Sequence, residues 1–267
     1  MRKTDVIDHC FVIPAYGCSP HLSECLQSLT TQTRSGSEIV ISTSTPDDAL
    51  FQLAERFEVP VRVHGPNAGI GRDWNAALDC STRRWTTIAH QDDVYLPDFV
   101  ARTLEAVDST HDSAVVMTGY SELYEGSVRL QTPMLRIKRL LLELGFLGRA
   151  SVSRTGAKLR LLRFGCPIAC PSVTLGPSVS ALRFREDLKV DLDWEAWIRA
   201  ARIPGAFCYV RENLMLHRIH GASETSAGVR DGIRAREDAE MFRSLWPAPV
   251  AGLLARAYAM SYEEGGK

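Results

Sequence analysis

Residues 85–97 read WTTIAHQDDVYLP, a short apolar stretch followed by a polar turn that carries two adjacent aspartates. The first five residues are uncharged and rich in β-branched side chains, which predicts a buried strand. Asp92 and Asp93 then stand at the carboxyl end of that strand, where an open α/β sheet places its ligands. Neighbouring carboxylates repel unless a cation or hydrogen-bond donors neutralise them, so the pair predicts a Mg²⁺ or Mn²⁺ site. A cap on the helix that begins near Pro97 would use the same residues.

Strand and helix patterns alternate through the first third of the chain, which is typical of a parallel sheet with helices on its faces. Apolar runs predict the strands, and apolar residues at helical spacing predict the helices. Predicted strands cover residues 10–13, 38–42, 59–63, 85–89, 114–117 and 207–210, and predicted helices cover 19–29, 49–57, 73–78, 97–107, 233–246 and 253–262.

Composition and motifs exclude several classes of protein. The 267 residues carry a formal net charge of −1, which makes no case for nucleic-acid binding. The seven cysteines include no Cys-x-x-Cys pair, no P-loop motif is present, and Gly69-x-Gly71 lacks the third glycine of the dinucleotide fingerprint. Because the sequence shows no apolar run of signal-peptide or membrane-span type, we expect a cytoplasmic protein with reduced cysteines.

Five short segments, in this order along the chain, resemble motifs of family 2 glycosyltransferases of the GT-A fold. They are residues 11–16 (FVIPAY), 67–75 (NAGIGRDWN), 91–97 (QDDVYLP), 191–199 (DLDWEAWIR) and 217–223 (HRIHGAS). The resemblance spans residues 9–226 and implies an α/β fold with a mixed, mostly parallel central sheet flanked by helices. We therefore expect a GT-A domain at 1–226, a basic helical insertion at 129–163, and a C-terminal helical tail at 227–267 packed on the domain.

The resemblance also implies an activity. It implies inverting, metal-dependent transfer of a sugar from a nucleotide-diphosphate donor, most simply a UDP-sugar, to a glycan or lipid-linked acceptor in bacterial surface polysaccharide synthesis. Asp193 matches the base that takes the proton of the acceptor, with Asp191 as the next candidate. Asp93 is the expected direct ligand of Mn²⁺ or Mg²⁺, with Asp92 and His220 beside it. The donor would contact Pro14, Ala15, Tyr16, Thr43, Ser44, Asn67, Gly69, Arg72, Asn75, Asp92 and Arg218.

Three departures from the family pattern concern the donor and the metal. Residues 43–46 read TSTP where the family has Asp-Asp-Gly-Ser, so a carboxylate that grips the base is missing. Trp74 stands where an arginine normally precedes Asn75, although Arg72 is close enough to substitute. His90 replaces the first acid of the metal motif. Together these features resemble a bacterial subgroup with a His-Gln-Asp-Asp metal motif.

Other readings of the same residues stay open. The acidic residues at 191–195 could form a solvated first turn that complements a helix dipole, and His220 could be structural. A nucleotidyltransferase shares the sheet topology and a metal carboxylate, but residues 15–19 (AYGCS) lack the basic residue its first loop normally carries. A degenerate transferase that only binds sugar is a third possibility, disfavoured by the intact Asp92, Asp93 and Asp193.

The segment 129–163 is strongly basic, with Glu143 as its single acid among nine basic residues. A basic amphipathic segment can lie on the anionic inner face of a membrane, and lipid-linked acceptors would make such contact useful. It could equally be an insertion on the acceptor side whose charges are solvated. The C-terminal tail could pack on the core or mediate a homodimer. The basic residues are Arg129, Arg136, Lys138, Arg139, Arg149, Arg154, Lys158, Arg160 and Arg163.

Overall fold

The first ninety residues, where strand and helix patterns alternate, fold into one half of a central sheet and its flanking helices. The computed structural model describes residues 7–220 and 232–264, with the backbone alone at 261–264. The elements of this half are β1 (His9–Tyr16), α1 (Leu22–Thr30), β2 (Glu38–Thr45), α2 (Asp48–Arg56), β3 (Val61–Val63), α3 (Ile70–Asp79) and β4 (Trp85–Ile88). The four strands pair in parallel in the order β3-β2-β1-β4, so their carboxyl ends lie along one edge.

The second half extends this sheet and adds helices. Its elements are β5 (Val94–Tyr95), α4 (Phe99–Asp108), β6 (Ser113–Tyr124), β7 (Ser127–Arg129), α5 (Pro133–Phe146), β8 (Ser151–Val152), α6 (Thr155–Arg160), β9 (Val173–Leu175), α7 (Leu192–Ala200), β10 (Ala206–Arg218), α8 (Ile233–Leu245) and α9 (Ala248–Glu264). A 3-10 turn, Cys170–Ser172, precedes β9. The full order is β3-β2-β1-β4-β9-β6-β10-β5, with β7 beside β6 and β8 beside β10.

Every antiparallel pairing of the sheet involves a short strand. The 12-residue β6 and the 13-residue β10 pair in parallel, like β1 with β2 and β4. The antiparallel pairings all involve the two- or three-residue strands β5, β7, β8 and β9. The predicted mixed, mostly parallel sheet flanked by helices is therefore confirmed.

Both faces of the central strands are buried, which explains why β1 is apolar without alternation. Successive side chains of a strand point to opposite faces. Accordingly Val12 belongs to one core cluster with Trp194 and Trp197, and Phe11 to the other with Tyr95. The two layers of core hold the carboxyl edge of β1 to β4 in place beneath the polar residues that follow each strand.

Residues 129–163 are not wholly helical, because β8 lies between α5 and α6 and pairs with β10. Lys158 is only 1% exposed, and its Nζ donates to the carbonyls of Ile203 and Gly205 at 2.6 and 2.9 Å. The expectation that its charge is solvated or faces lipid is therefore wrong, because this ammonium ties α6 to the loop before β10. None of the helices in the described residues combines the length and apolar character needed to cross a bilayer.

The C-terminal helices lie against the segment that carries Asp193. On α8, Phe242 meets Trp194 of α7 edge-to-face, with ring centroids 5.1 Å apart. Tyr258 of α9 completes this aromatic group at 6.0 Å from Trp194. The helix expected at 253–262 begins earlier, at Ala248. The domain boundary expected at 226 lies outside the described residues, so that division of the chain stays a prediction.

Candidate functional site

The carboxyl ends of β1 and β2 are joined by side-chain hydrogen bonds. Thr45 Oγ1 accepts from the amide of Gly17 at 2.7 Å, and Thr43 Oγ1 accepts from the amide of Thr45 at 3.1 Å. Tyr16 stands 65% exposed at the end of β1, whereas Thr43 is buried. The buried hydroxyl of Ser44 has no hydrogen-bond partner among the described residues. The end of β1 thus offers an exposed ring where a nucleobase is expected.

The predicted donor residues around α3 divide into two kinds. Asn67 accepts from the amide of Gly69 at 3.0 Å, which shapes the turn into α3, and Gly69 has a φ of 106° that suits glycine. Arg72 is exposed near this turn. Asn75 instead has both polar atoms engaged by the backbone of Phe184, at 2.9 and 2.7 Å. It holds the chain before α7, and a donor contact from it stays a prediction.

Asp93 is buried, with 1% exposure, and its carboxylate is already surrounded by donors. His217 Nδ1 lies 3.1 Å from Oδ1, and the amide of Arg218 donates to the same oxygen at 2.8 Å. Burial alone would raise the pKa of Asp93, but His217, His90 and the Arg218 amide outweigh it and hold the pKa below its usual value. Asp93 is therefore ionised, and it ties the end of β10 to the turn after β4.

Asp92 faces outward from the same turn. Its Oδ1 accepts from the Ser19 hydroxyl at 2.5 Å, and its Oδ2 lies 3.2 Å from His220 Nε2. The side chains of Asp92 and His220 are 25% and 28% exposed. A carboxylate oxygen and an imidazole nitrogen therefore meet at the surface of the site.

Arg218, expected to bind a phosphate, is engaged within the protein. Its Nε donates to the backbone carbonyl of Asp92 at 2.8 Å, and its guanidinium also pairs with Glu24 of α1. The arginine thus joins β10, α1 and the turn after β4. Phosphate binding by this residue stays a prediction.

Two of the departures from the family pattern lie in contact with each other. The rings of Trp74 and His90 stack with centroids 4.9 Å apart, and Phe184 meets Trp74 edge-on at the same separation. His90 Nδ1 lies 3.9 Å from Asp93 Oδ2. Burial lowers the pKa of His90, which favours a neutral imidazole that can stack on the indole. His90, in place of an acid, and Trp74, in place of an arginine, therefore form one structural feature, a pair of rings in contact.

Asp193 lies in the first turn of α7 and is partly buried. Its Oδ1 accepts from the amide of Trp194 at 2.7 Å. Burial raises the pKa of Asp193 to about 6, and the charge of Lys138 and the hydrogen bonds from Trp194 and Cys170 keep it from rising further. A carboxylate with this pKa is ionised at neutral pH yet basic enough to accept a proton.

Asp191 differs sharply from Asp193. It is buried, and burial together with the neighbouring Asp238 and Asp193 raises its pKa to about 9. Asp191 therefore keeps its proton at neutral pH. Since a general base must be unprotonated and within reach of the acceptor, this environment favours Asp193 over the alternative.

The 3-10 turn at residues 170–172 separates the two acidic groups. Burial raises the pKa of the Cys170 thiol well above its ordinary value, and both Asp193 and Asp93 add to that shift. Tyr95 also anchors this turn by donating to the carbonyl of Pro171 at 2.8 Å. The turn thus contacts Asp193 through the Cys170 amide, and it contacts Tyr95, two residues after Asp93, through the Pro171 carbonyl.

Two residues of this site are not singled out by the sequence analysis. Glu237 of α8 is buried and accepts from the amides of Lys189, Val190 and Asp191, at 3.0, 2.9 and 3.0 Å. It thereby fixes the loop that enters α7. His217 is the partner of Asp93, although only its neighbours Arg218 and His220 were singled out. Sequence reasoning missed both residues, and only the position of His217 inside a matched motif could have indicated it.

Part of a cation site is present. No group of three or more His, Cys, Asp or Glu side chains within residues 7–220 and 232–264 forms a ligand cluster. Mg²⁺ and Mn²⁺ are nevertheless often held by one or two carboxylates together with substrate phosphates. The adjacent oxygen of Asp92 and nitrogen of His220 fit that chemistry, and Asp93 lies directly behind them.

The sequence profile of glycosyl transferase family 2 matches residues 10–175, which is more than half of the chain. The chain belongs to glycosyl transferase family 2. An uncharacterised glycosyltransferase of Rickettsia prowazekii is 22% identical to this family 2 chain over 239 residues, covering 88% of it and 69% of the relative. A Nostoc homologue, also an uncharacterised glycosyltransferase, is 25% identical over 228 residues, which cover 79% of the chain and 65% of the relative.

Solved structures show the same fold as this family 2 enzyme at low identity. S. aureus TarS 1–349 in complex with UDP-GlcNAc superposes with a TM-score of 0.65 at 13% identity, over 93% of this chain and 70% of TarS 1–349. The mannosyltransferase PcManGT of Pyrobaculum calidifontis, in complex with GDP-Man and Mn²⁺, superposes with a TM-score of 0.61 at 15% identity, over 96% and 72%. The chain therefore has the GT-A fold and is a glycosyltransferase. Membership of a narrower subgroup with a His-Gln-Asp-Asp metal motif stays a prediction.

Proposed function

We propose that this chain transfers a sugar, with inversion and with the help of a divalent cation, from a nucleotide-diphosphate donor to a glycan or lipid-linked acceptor. The observation that carries the proposal is the placement of two unlike acidic groups on either side of the 170–172 turn. Asp92 and Asp93 lie at the carboxyl edge of the sheet, and Asp193 lies across the turn with a pKa of about 6. One group suits a leaving diphosphate, and the other suits an incoming hydroxyl.

The donor would lie along the carboxyl ends of β1 to β4. Tyr16 offers an aromatic face to the base, and the unpartnered hydroxyl of Ser44 is a candidate to bond it in place of the missing carboxylate. The Asn67–Gly69 turn and Arg72 would border the remainder of the nucleotide. UDP-sugars remain our first choice because TarS 1–349 was solved with UDP-GlcNAc, although the GDP-Man complex of PcManGT makes a guanosine donor the next one to test.

Asp92 and His220 would hold the cation at the surface, with phosphate oxygens of the donor completing its shell. A bound Mn²⁺ or Mg²⁺ would neutralise the negative charge that develops on the departing diphosphate. Asp93 was our first choice as direct ligand, but its carboxylate is buried and bonded to His217 and to the Arg218 amide. The geometry favours Asp93 as the group that orients the turn and supplies charge from behind.

Substitutions at Asp92, His220 and Asp93 distinguish residues that bind the cation from a residue that orients the turn. Asp92→Ala and His220→Ala should each weaken Mn²⁺ binding in the presence of UDP by roughly 10–100-fold while the fold is retained, because both side chains lie partly exposed at the surface. Asp93→Ala should instead lower the thermal midpoint, since it leaves His217 and a backbone amide without their acceptor. Calorimetry measures the Mn²⁺ affinity, and thermal unfolding measures the midpoint. Lost Mn²⁺ affinity with an unchanged midpoint in Asp93→Ala would restore Asp93 as the direct ligand.

Asp193 would act as the base for the acceptor. The acceptor oxygen forms a bond to the anomeric carbon from the face opposite the diphosphate, the bond from that carbon to the phosphate oxygen breaks, and the diphosphate leaves with the electron pair. The hydroxyl proton passes to the carboxylate of Asp193. A single displacement of this kind inverts the anomeric configuration.

A panel of nucleotide sugars, incubated with and without Mn²⁺, tests the proposal. Release of free sugar and nucleoside diphosphate from one donor, dependent on Mn²⁺, is the expected result. Release of pyrophosphate on incubation with a sugar phosphate and a nucleoside triphosphate would indicate a nucleotidyltransferase. Sugar binding without turnover of any donor would indicate a degenerate homologue. Bacterial surface polysaccharide synthesis at the cytoplasmic face of the inner membrane is the setting that we propose for the acceptor.

A further inference from the structure

The outer face of α5 is apolar along its whole length. Ile137, Leu140 and Leu144 are 53%, 58% and 56% exposed, and Leu147 just after the helix is 58% exposed. At 3.6 residues per turn, the first three fall within one narrow stripe. The opposite face, which includes Leu135 and Leu142, is buried in the core. The helix therefore exposes an apolar stripe opposite the face that it buries.

A soluble helix with one buried face carries charged or polar residues on the other, as α2 does with Glu55 and Arg56. Three large aliphatic side chains in a row on an exposed stripe mark a surface that contacts a partner. We call this stripe, with Leu147, the α5 face.

The charges of the segment 129–163, which contains α5, identify the kind of partner. Three of the nine basic residues in 129–163 point inward: Lys158 is buried, Lys138 donates to the Tyr120 hydroxyl, and Arg139 donates to the Tyr120 carbonyl. The other six are exposed, and within the described residues none of them pairs with a carboxylate. These six are Arg129, Arg136, Arg149, Arg154, Arg160 and Arg163. The single acid of the segment, Glu143, is itself paired with Arg211.

We propose that the α5 face docks on an anionic lipid bilayer, with Ile137, Leu140 and Leu144 in the headgroup and acyl boundary. Arg136 and Arg149, which adjoin the stripe in the chain and are exposed, would contact the lipid phosphates. An interfacial helix of this kind buries its apolar face about 5–10 Å into that boundary. A second copy of the chain fits less well. A two-fold interface would place the same uncompensated arginines of both copies against each other, and like charges facing across an interface oppose association.

This docking would bring the chemistry close to the membrane. On the inner face of α5, Lys138 lies near enough to Asp193 to lower its pKa. A helix with its side chains is roughly 10–12 Å across, so α5 would stand as a single layer between the lipid and the side of the domain on which Lys138 acts on Asp193. The structure thus favours an acceptor that is anchored in the bilayer. That last step rests on the proposed function, whereas the docking itself does not.

Binding of the full chain to vesicles tests the proposal without any donor or acceptor. Vesicles of phosphatidylcholine with phosphatidylglycerol should bind the chain, and vesicles of phosphatidylcholine alone should bind it far more weakly. Raising the salt should weaken binding, since the Debye length is only about 8 Å at physiological ionic strength. Binding that ignores lipid charge, or no binding to phosphatidylglycerol vesicles at low salt, would overturn the proposal.

Two double variants test the apolar and the charged contributions to vesicle binding separately. Leu140→Gln with Leu144→Gln should weaken binding at least about tenfold, and the matched control is Leu253→Gln with Met260→Gln, which changes two exposed apolar residues of α9. Arg136→Gln with Arg149→Gln should weaken binding roughly 25-fold, at about fivefold per arginine near a charged surface.

The control for the arginine pair is Arg34→Gln with Arg202→Gln, which removes two exposed arginines elsewhere. Equal losses of vesicle affinity in the variants and in their controls would contradict docking through the α5 face. Light scattering that shows a dimer for the wild type and a monomer for Leu140→Gln with Leu144→Gln would overturn it in favour of a second copy. Inactivity toward every donor would refute the proposed function and leave these results standing.

Discussion

Replacing Glu237 by glutamine tests whether the C-terminal helix α8 positions the catalytic carboxylate. The two carboxylate oxygens of Glu237 accept from three backbone amides, those of Lys189, Val190 and Asp191, all within 3.0 Å. Glutamine keeps the shape but retains only one accepting oxygen, so at most two of the amides keep a neutral acceptor. Its NH₂ group then faces the remaining amide, donor against donor.

The cost follows from these contacts. A buried amide without an acceptor costs about 1–3 kcal/mol, and hydrogen bonds to a charged group are roughly twice as strong as neutral ones. Glu237→Gln should therefore lower the free energy of unfolding by about 2–5 kcal/mol. Because the same loop leads into α7, Asp193 should also shift. We expect kcat to fall by up to about 10²-fold, with donor affinity nearly unchanged.

Urea unfolding and steady-state kinetics measure the two effects. The matched control is Glu240→Gln, one turn further along α8, whose partner is the exposed Arg185. That exposed pair should contribute no more than about 1 kcal/mol, and its loss should leave kcat unaltered. Equal destabilisation by the two variants would refute the reasoning. Lower stability of Glu237→Gln with unchanged kcat would show that the loop does not position Asp193.

Two further predictions concern the acids at the start of α7. Since burial raises the pKa of Asp193 to about 6, kcat should fall as the pH is lowered through that value and reach a plateau above it. A kcat profile that is flat below that pH would contradict this. Asp191, with a pKa near 9 instead of the ordinary 3.8, binds its proton in the folded state while the unfolded chain releases it, so stability from this group falls as pH rises between those values. Asp191→Asn should therefore raise the unfolding free energy at neutral pH and not near pH 3, and an unchanged pH dependence in urea titrations would contradict it.

The first half of the fold could be predicted because its signals are local. The apolar runs of β1, β2 and β4 and the helical spacing of α1 and α2 lie within short windows of sequence. The strand predicted at 114–117 instead runs on to Tyr124, and the one predicted from Phe207 runs to Arg218. Their second halves mix polar and apolar residues, and they are strands because they pair with each other through register shifts near Asn213. Such pairing leaves no local pattern.

The site likewise divides into residues with local sequence signals and residues whose contacts are long-range. Asp92, Asp93 and Asp193 lie in short motifs and could be singled out from sequence. The bond from His217 to Asp93 joins residues 124 positions apart, and it depends on the register of β10. Glu237 reads as one more charge on an amphipathic helix, because nothing local shows that its side chain is buried against backbone amides. The inward direction of Lys158 was misjudged for the same reason.

The turnover of Asp193→Asn with a cognate nucleotide sugar, set beside its donor affinity, tests the central claim most directly. Asparagine keeps the size of the side chain and its bond from the Trp194 amide, but it cannot take the acceptor proton. The proposed mechanism predicts that the donor dissociation constant stays within about twofold while kcat falls by roughly 10²–10⁴-fold, the usual contribution of a positioned base. Turnover within a few fold of the wild type, with donor affinity intact, would contradict the assignment of Asp193 as the base.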